Sequence, residues 1–153
     1  RRQRQMCIRD RIQRVSSASV EVDGKVVGAI DKGLLVFLGV EKDDSREVVE
    51  RMAHKLVNYR VFADGDDKMN LSVSDINGQL LIVSQFTLAA STTKGMRPSF
   101  SPAACPELAE ALYEHCIEIA SREIDVVQSG QFAANMQVAL VNDGPVTFLL
   151  EIS

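Results

Sequence analysis

Leu80-Leu81-Ile82-Val83-Ser84-Gln85-Phe86-Thr87-Leu88 begins as an apolar run and ends as a polar corner around one phenyl ring. Consecutive aliphatic residues fit a strand buried on both faces. Ser84 and its successors break that pattern with two hydroxyls and an amide, so they lie where a strand gives out. A second run near the end of the chain repeats the arrangement. Val138 to Val141 is apolar, and Asn142-Asp143-Gly144-Pro145-Val146-Thr147 follows it. Its Gly-Pro step frees one φ and fixes the next. Proline brings no donor, so the ladder is expected to end there, leaving carbonyls that can face a ligand. Hydroxyls beside a rigid backbone corner suggest a small, shape-selective pocket.

Working outward, residues 15–30 read as a hairpin. Ala18, Val20 and Val22 alternate, Asp23-Gly24 turns, and Val26 to Ile30 returns. Leu34 to Val40 is a buried strand by its continuous apolar run. Asp43, Asp44 and Ser45 offer caps for a helix over about 45–58. Its stripe is Val48, Val49, Met52, Ala53, Leu56 and Val57. A strand is expected near 58–62, then a polar loop over 63–67, and Asn77-Gly78 turns into 79–88. Residues 89–104, rich in Ser, Thr, Gly and Pro, read as a loop beside the first run. Pro106 suits the start of a second helix running to about Arg122, striped by Leu108, Ala109, Leu112, Cys116, Ile119 and Ala120. Strands are expected over 124–127, 137–141 and 146–152. The sum is an α/β, strand-rich single domain with two helices, spanning residues 6–153 after a basic stretch over 1–5.

The 153 residues are enough for one sizeable core, and 46% hydrophobic with 25% charged residues is ordinary for a globular protein. No apolar run reaches the roughly 20 residues that cross a bilayer, and no apolar segment of a leader follows the basic start. Residues 1–5 are expected to be a disordered extension. Cys7, Cys105 and Cys116 form neither a CxxC pair nor a zinc-finger spacing with histidine. They are expected to be reduced and buried, as in a cytoplasmic protein, with no metal and no cofactor. A net charge of −4 disfavours broad nucleic-acid binding. Local cations exist even so: six arginines lie between Arg1 and Arg14, and Lys94 and Arg97 follow the first run. A few placed cations suffice to hold a single-stranded end.

A serine or threonine nucleophile normally needs a base, most often histidine. The two histidines are poorly placed for that. His54 shares the polar face of the first helix with Glu47, Glu50, Arg51 and Asn58. His115 shares that of the second with Glu107, Glu114, Glu118 and Arg122, so both are expected at the surface. What remains is positioning and electrostatics, with backbone N–H groups near Phe86, Thr87 and Leu88 available to an oxyanion.

Ser84 to Leu88 and the Asn-x-Gly-Pro-Val-Thr run resemble the two signatures of the D-aminoacyl-tRNA deacylases (D-tyrosyl-tRNA deacylase family). The resemblance extends through Gln13 to Val20, Gly33 to Val36, Leu38-Gly39-Val40, Lys68 to Ser72 and Lys94 to Phe100. It implies two β-sheets with the helices packed on one side, and a homodimer with active sites at the subunit interface. The substrate it implies is the 3′ end of aminoacyl-tRNA, whose ester is hydrolysed to free D-amino acid and tRNA. Catalysis in the family is RNA-assisted, with a ribose hydroxyl helping water; an older alternative makes the signature threonine, here Thr87, the nucleophile.

The resemblance assigns Ser84, Gln85, Phe86 and Thr87 to the catalytic pocket, with Phe86 against the terminal adenosine. Gly144-Pro145 is implied to be cis and to enter the partner's site, where its carbonyls exclude L side chains. Glycine, having no side chain, would escape that filter, so mischarged glycyl-tRNA is an expected substrate. Leu88, Ala103, Phe132, Met136 and Val146 are implied or candidate pocket residues. Asn142 and Thr147 are read as braces of the corner, and Arg14 as a support or interface residue. Ala89, Ala90 and Ser91 replace a common Tyr-Ala-Asp, and Thr93 a frequent basic residue, which bears on tRNA preference. Two alternatives remain: an editing paralogue with relaxed chirality, and a non-catalytic nucleic-acid-binding dimer of the same fold.

Overall fold

A computed structural model of the chain describes residues 8–152. The basic stretch 1–5 and Cys7 lie outside the described residues. Strand β1 (Ile8–Val22) organises everything else. Along one edge it pairs antiparallel with β8 (Gln137–Ile152), from Ile8 opposite Ile152 to Glu21 opposite Gln137. Its other edge is shared between β3 (Gly33–Gly39), opposite Val15 to Arg9, and β2 (Lys25–Ile30), opposite Val22 to Ala18. Asp23 and Gly24 both take positive φ (52° and 80°), the requirement of a tight hairpin turn. Beyond β3 the sheet continues with two parallel neighbours, β6 (Gln79–Ser84) and β7 (Val127–Ser129). A separate ribbon joins β4 (Phe62–Ala63) to β5 (Met69–Leu71).

Helices α1 (Arg46–Asn58) and α2 (Pro106–Ser121) cover one face of the sheet. The Ser45 hydroxyl accepts from the Val48 N–H at 3.3 Å and caps α1. All six stripe residues of α1 are buried, against Ile12, Leu34, Val36, Leu80 and Ile82. On the other face, β2 folds back over the sheet: a Cβ at Gly28 would lie 2.6 Å from the Ser129 carbonyl oxygen. Val15, Val20, Ile30, Leu35, Leu81 and Val83 pack inside that curl. The layering of two sheets and a helical side is thus present, with the sheet layers joined through β1. No helix among the described residues is long and apolar enough to cross a membrane.

Several expectations change. Residues 137–152 form one strand, not two; shifts in register opposite Gln13 to Ser17 absorb the Gly-Pro step without ending the ladder. The helix keeps Asn58, so only Phe62 of the 58–62 segment is strand, and β4 continues to Ala63. Ile124 is buried but precedes β7, which starts at Val127. Of the two cysteines among the described residues, Cys105 is exposed and Cys116 is buried. His115 is buried as well, because α1 packs over it: its Nε2 lies 2.7 Å from Glu50 Oε2 and its Nδ1 3.2 Å from Arg46 Nη2. The sequence also gave no notice of Asp10, which faces the helix-side core between Ile8 and Ile12. It is wholly buried, and neither carboxylate oxygen has a hydrogen-bond partner among the described residues.

Candidate active site

The parallel strands β3, β6 and β7 all end at the same edge of the sheet, and the segments that leave them enclose a cleft of about 240 Å³. Val40 follows β3, Ser84 to Thr87 close β6, and Phe132 to Met136 follow β7. Ala104 and Ala109, around the start of α2, form the remaining wall. The carboxyl ends of parallel strands are where backbone groups point outward unpaired, and open sheets with parallel strands bind ligands there.

The chain after β6 is held closely. Gln85 N–H donates to the Leu38 carbonyl at 2.9 Å, and a short 3₁₀ turn, Phe86–Ala89, follows. Its first bond runs from Leu88 N–H to the Gln85 carbonyl at 3.1 Å, so the Phe86 and Thr87 N–H groups precede the bonds of the turn. Leu88 does not line the cleft; it seats the turn on β3, where a Cβ at Gly39 would lie 2.6 Å from its own Cβ. Ser84 and Gln85 are half-buried, Thr87 is exposed, and Phe86 is 60% exposed with its ring 5.1 Å from that of Phe100. Phe86 is therefore not a core residue.

Phe132 and Met136 both face the cleft. Tyr113, which sequence reasoning missed, supports that wall. Its ring lies 6.0 Å from Phe132, and its hydroxyl donates to the Ile82 carbonyl at 2.9 Å. Burial pushes its pKa up to about 12. Ala103 is half-buried and bridges to Glu41, while its neighbour Ala104 forms the wall. Neither histidine lines the cleft: His54 is exposed on α1, and His115 is held between the helices. No cluster of three or more His, Cys, Asp or Glu side chains suited to a metal occurs among the described residues.

The second signature lies elsewhere on the chain. The Gly144–Pro145 peptide bond is cis, and both residues are exposed. Gly144 has φ +126°, and a Cβ there would lie 2.7 Å from Val146 Cγ2 and 3.0 Å from Arg14 Nη2. Asn142 Oδ1 accepts from Val146 N–H at 3.1 Å, and Asn142 Nδ2 donates to Thr147 Oγ1 at 3.2 Å. Arg14 Nε donates to the Asp143 carbonyl at 3.1 Å. This corner stands opposite Gln13 to Val15, whose register runs through Leu35–Gly33 to Leu81–Gln79. Ser84, at the other end of β6, is opposite Leu38 instead. The corner and the cleft are thus about three strand spacings (~14 Å) apart across the sheet and about four residues (~13 Å) along it.

A family model for D-Tyr-tRNA(Tyr) deacylase matches residues 11–151. This chain belongs to that family. The D-aminoacyl-tRNA deacylase of Haemophilus influenzae (strain KW20 / Rd) is 59% identical over 141 residues, 92% of this chain and 97% of that protein. The D-aminoacyl-tRNA deacylase of Pseudomonas putida (strain KT2440) is 58% identical over 145 residues, 95% and 100% of the two chains. Among solved structures, a c-Myc DNA unwinding element binding protein superposes with a TM-score of 0.88 at 39% identity, covering 93% of this chain and 97% of that one. The deacylase family thus accounts for nearly the whole chain, including both signature runs.

Proposed function

We propose that this chain hydrolyses the ester of D-aminoacyl-tRNA, releasing the D-amino acid and tRNA. The observation that carries the reading is the cleft at the carboxyl ends of β3, β6 and β7, closed by Ser84 to Thr87 and lined by no histidine, in a chain of the deacylase family. A cleft of about 240 Å³ suits a terminal nucleoside with its ester at the mouth. Phe86 and Phe132 supply apolar surface to the base, while Ser84 and Gln85 offer polar groups to the ribose. Water adds to the ester carbonyl, and the Phe86 and Thr87 N–H groups receive the developing oxyanion. The neighbouring ribose hydroxyl relays a proton to the departing ribose oxygen as the acyl bond breaks.

The Gly144-Pro145 corner acts as the chiral filter in a second copy's site, the active unit being a homodimer. Two observations support this. The corner is exposed, braced and far from the cleft of its own chain, and apolar residues exposed on the same edge strand flank it: Val141 (57%), Phe148 (36%) and Leu149 (57%). Rigid backbone rejects an L side chain by collision and lets glycine pass, so mischarged glycyl-tRNA is a substrate too. The alternative with Thr87 as nucleophile lacks a histidine base in the cleft. Release of D-tyrosine from D-Tyr-tRNA by catalytic amounts of the purified chain tests the reading; no release above the uncatalysed rate would refute it.

A further inference from the structure

Beside the cleft lies a second hollow of about 430 Å³, lined by Lys42, Lys94, Ser91, Thr93, Ser99, Ser101 and Pro102. We propose that it seats a backbone phosphate of the RNA 3′ end, one nucleotide before the ester-bearing nucleoside. This rests on the deacylase reading above.

The lining chemistry selects an anion. Two ammonium groups and four hydroxyls face the hollow and no carboxylate lines it, in a chain whose net charge is −4. The hydroxyls sit on a fixed frame: Ser91 and Ser99 exchange both backbone hydrogen bonds at 2.8 Å. Ser91 Oγ then lies 3.1 Å from Thr93 Oγ1, and Ser99 Oγ 3.2 Å from Ser101 Oγ. Such hydroxyls rotate freely to donate to phosphate oxygens.

The spacing from the cleft identifies which phosphate. Segments 40–42 and 102–104 run side by side, with Ala104 N–H donating to the Val40 carbonyl at 3.1 Å and Lys42 N–H to the Pro102 carbonyl at 2.9 Å. Val40 and Ala104 line the cleft; Lys42 and Pro102 line the hollow. Two residues of extended chain separate the sites, about 7 Å, the scale of one extended nucleotide. Phe100 stands between the hollow's Ser99 and Ser101, is 44% exposed, and meets the cleft's Phe86 ring at 5.1 Å. A base passing from cleft to hollow would cross that aromatic pair.

Lys42→Gln, Lys94→Gln and the double variant, all at exposed positions, test this in the whole chain. Turnover is compared on D-Tyr-tRNA and on the D-tyrosyl ester of adenosine, which has no phosphate. The ratio of the two kcat/KM values should fall about tenfold per lysine, the size of one charge-assisted contact, and Lys→Arg should restore it. Binding of an unacylated RNA ending in CCA should show its salt slope reduced by about 0.7 per lysine removed. Equal losses on both esters, or an unchanged ratio with an unchanged slope, would overturn the proposal. Binding of inorganic phosphate that depends on both lysines yet leaves RNA affinity unchanged at constant ionic strength would also overturn it, assigning the hollow to a free anion. If the wild-type chain cleaves neither ester, the deacylase reading fails, and the RNA salt slope alone still decides the hollow.

Discussion

Arg14 holds the backbone immediately before the Gly144-Pro145 corner: its Nε donates to the Asp143 carbonyl at 3.1 Å and its Nη1 to the Val61 carbonyl at 2.8 Å. One guanidinium thus ties the edge strand to the segment that follows α1. A filter that works by collision is only as good as its stiffness. Arg14→Ala should therefore lower the preference for D-Tyr-tRNA over L-Tyr-tRNA by about tenfold, the loss of one charge-assisted contact, mostly by raising L-ester hydrolysis. Arg14→Lys, a point donor without the planar fork, should fall between. Initial rates on the two esters measure it.

Gly39 lets the 3₁₀ turn sit directly on β3. A Cβ there would meet Leu88 Cβ at 2.6 Å, so Gly39→Ala must displace the turn that carries Phe86 and Thr87. Misplacing a catalytic group by about 1 Å can cost on the order of a hundredfold. We expect a loss of that order in kcat with unchanged circular dichroism.

Thr87 distinguishes the two mechanisms. If it only helps to place substrate or water, Thr87→Ala keeps activity within about tenfold of wild type. If it were the nucleophile, the loss would exceed about a thousandfold. Single-turnover rates with excess enzyme separate these outcomes, and the lack of a histidine in the cleft favours the first.

Asp10 lies in the core at a cost. Burial, followed by the nearby Asp44 carboxylate, raises its pKa well above the ordinary value. The folded chain therefore binds more protons than the unfolded chain between the two pKa values, and Asp10's contribution to stability falls as pH rises through that window. Asp64 and Asp75, held by backbone N–H bonds, have lowered values and act in the opposite sense, losing stability as pH falls. Asp10→Val should raise stability at pH 8 by about 1–3 kcal/mol, with a smaller gain at pH 5. Urea unfolding at the two pH values checks both statements.

Local rules made much of this fold legible. The six-residue stripe of α1 is buried in full, and Asp23-Gly24 and Pro106 mark a turn and a helix start. What escaped depends on neighbours that periodicity does not contain. His115 lies beside the apolar stripe of α2, and only the arrival of Glu50 and Arg46 from α1 buries it. The proline rule divides 137–152 into two strands, yet β1 follows the distortion with shifts in register. At the cleft, Ser84 to Thr87 and Phe132 were legible as candidates. The choice of Ala104 over Ala103 depends on which of them bonds back to Val40, a fact of pairing register. The distance between the two signatures required the full strand order.

The most direct test is hydrolysis of D-Tyr-tRNA beside L-Tyr-tRNA, at catalytic enzyme concentrations with a metal chelator present. Rapid loss of the D ester alone is the predicted result. Equal loss of both would contradict the filtering role of Gly144-Pro145, and loss of neither would contradict the hydrolase.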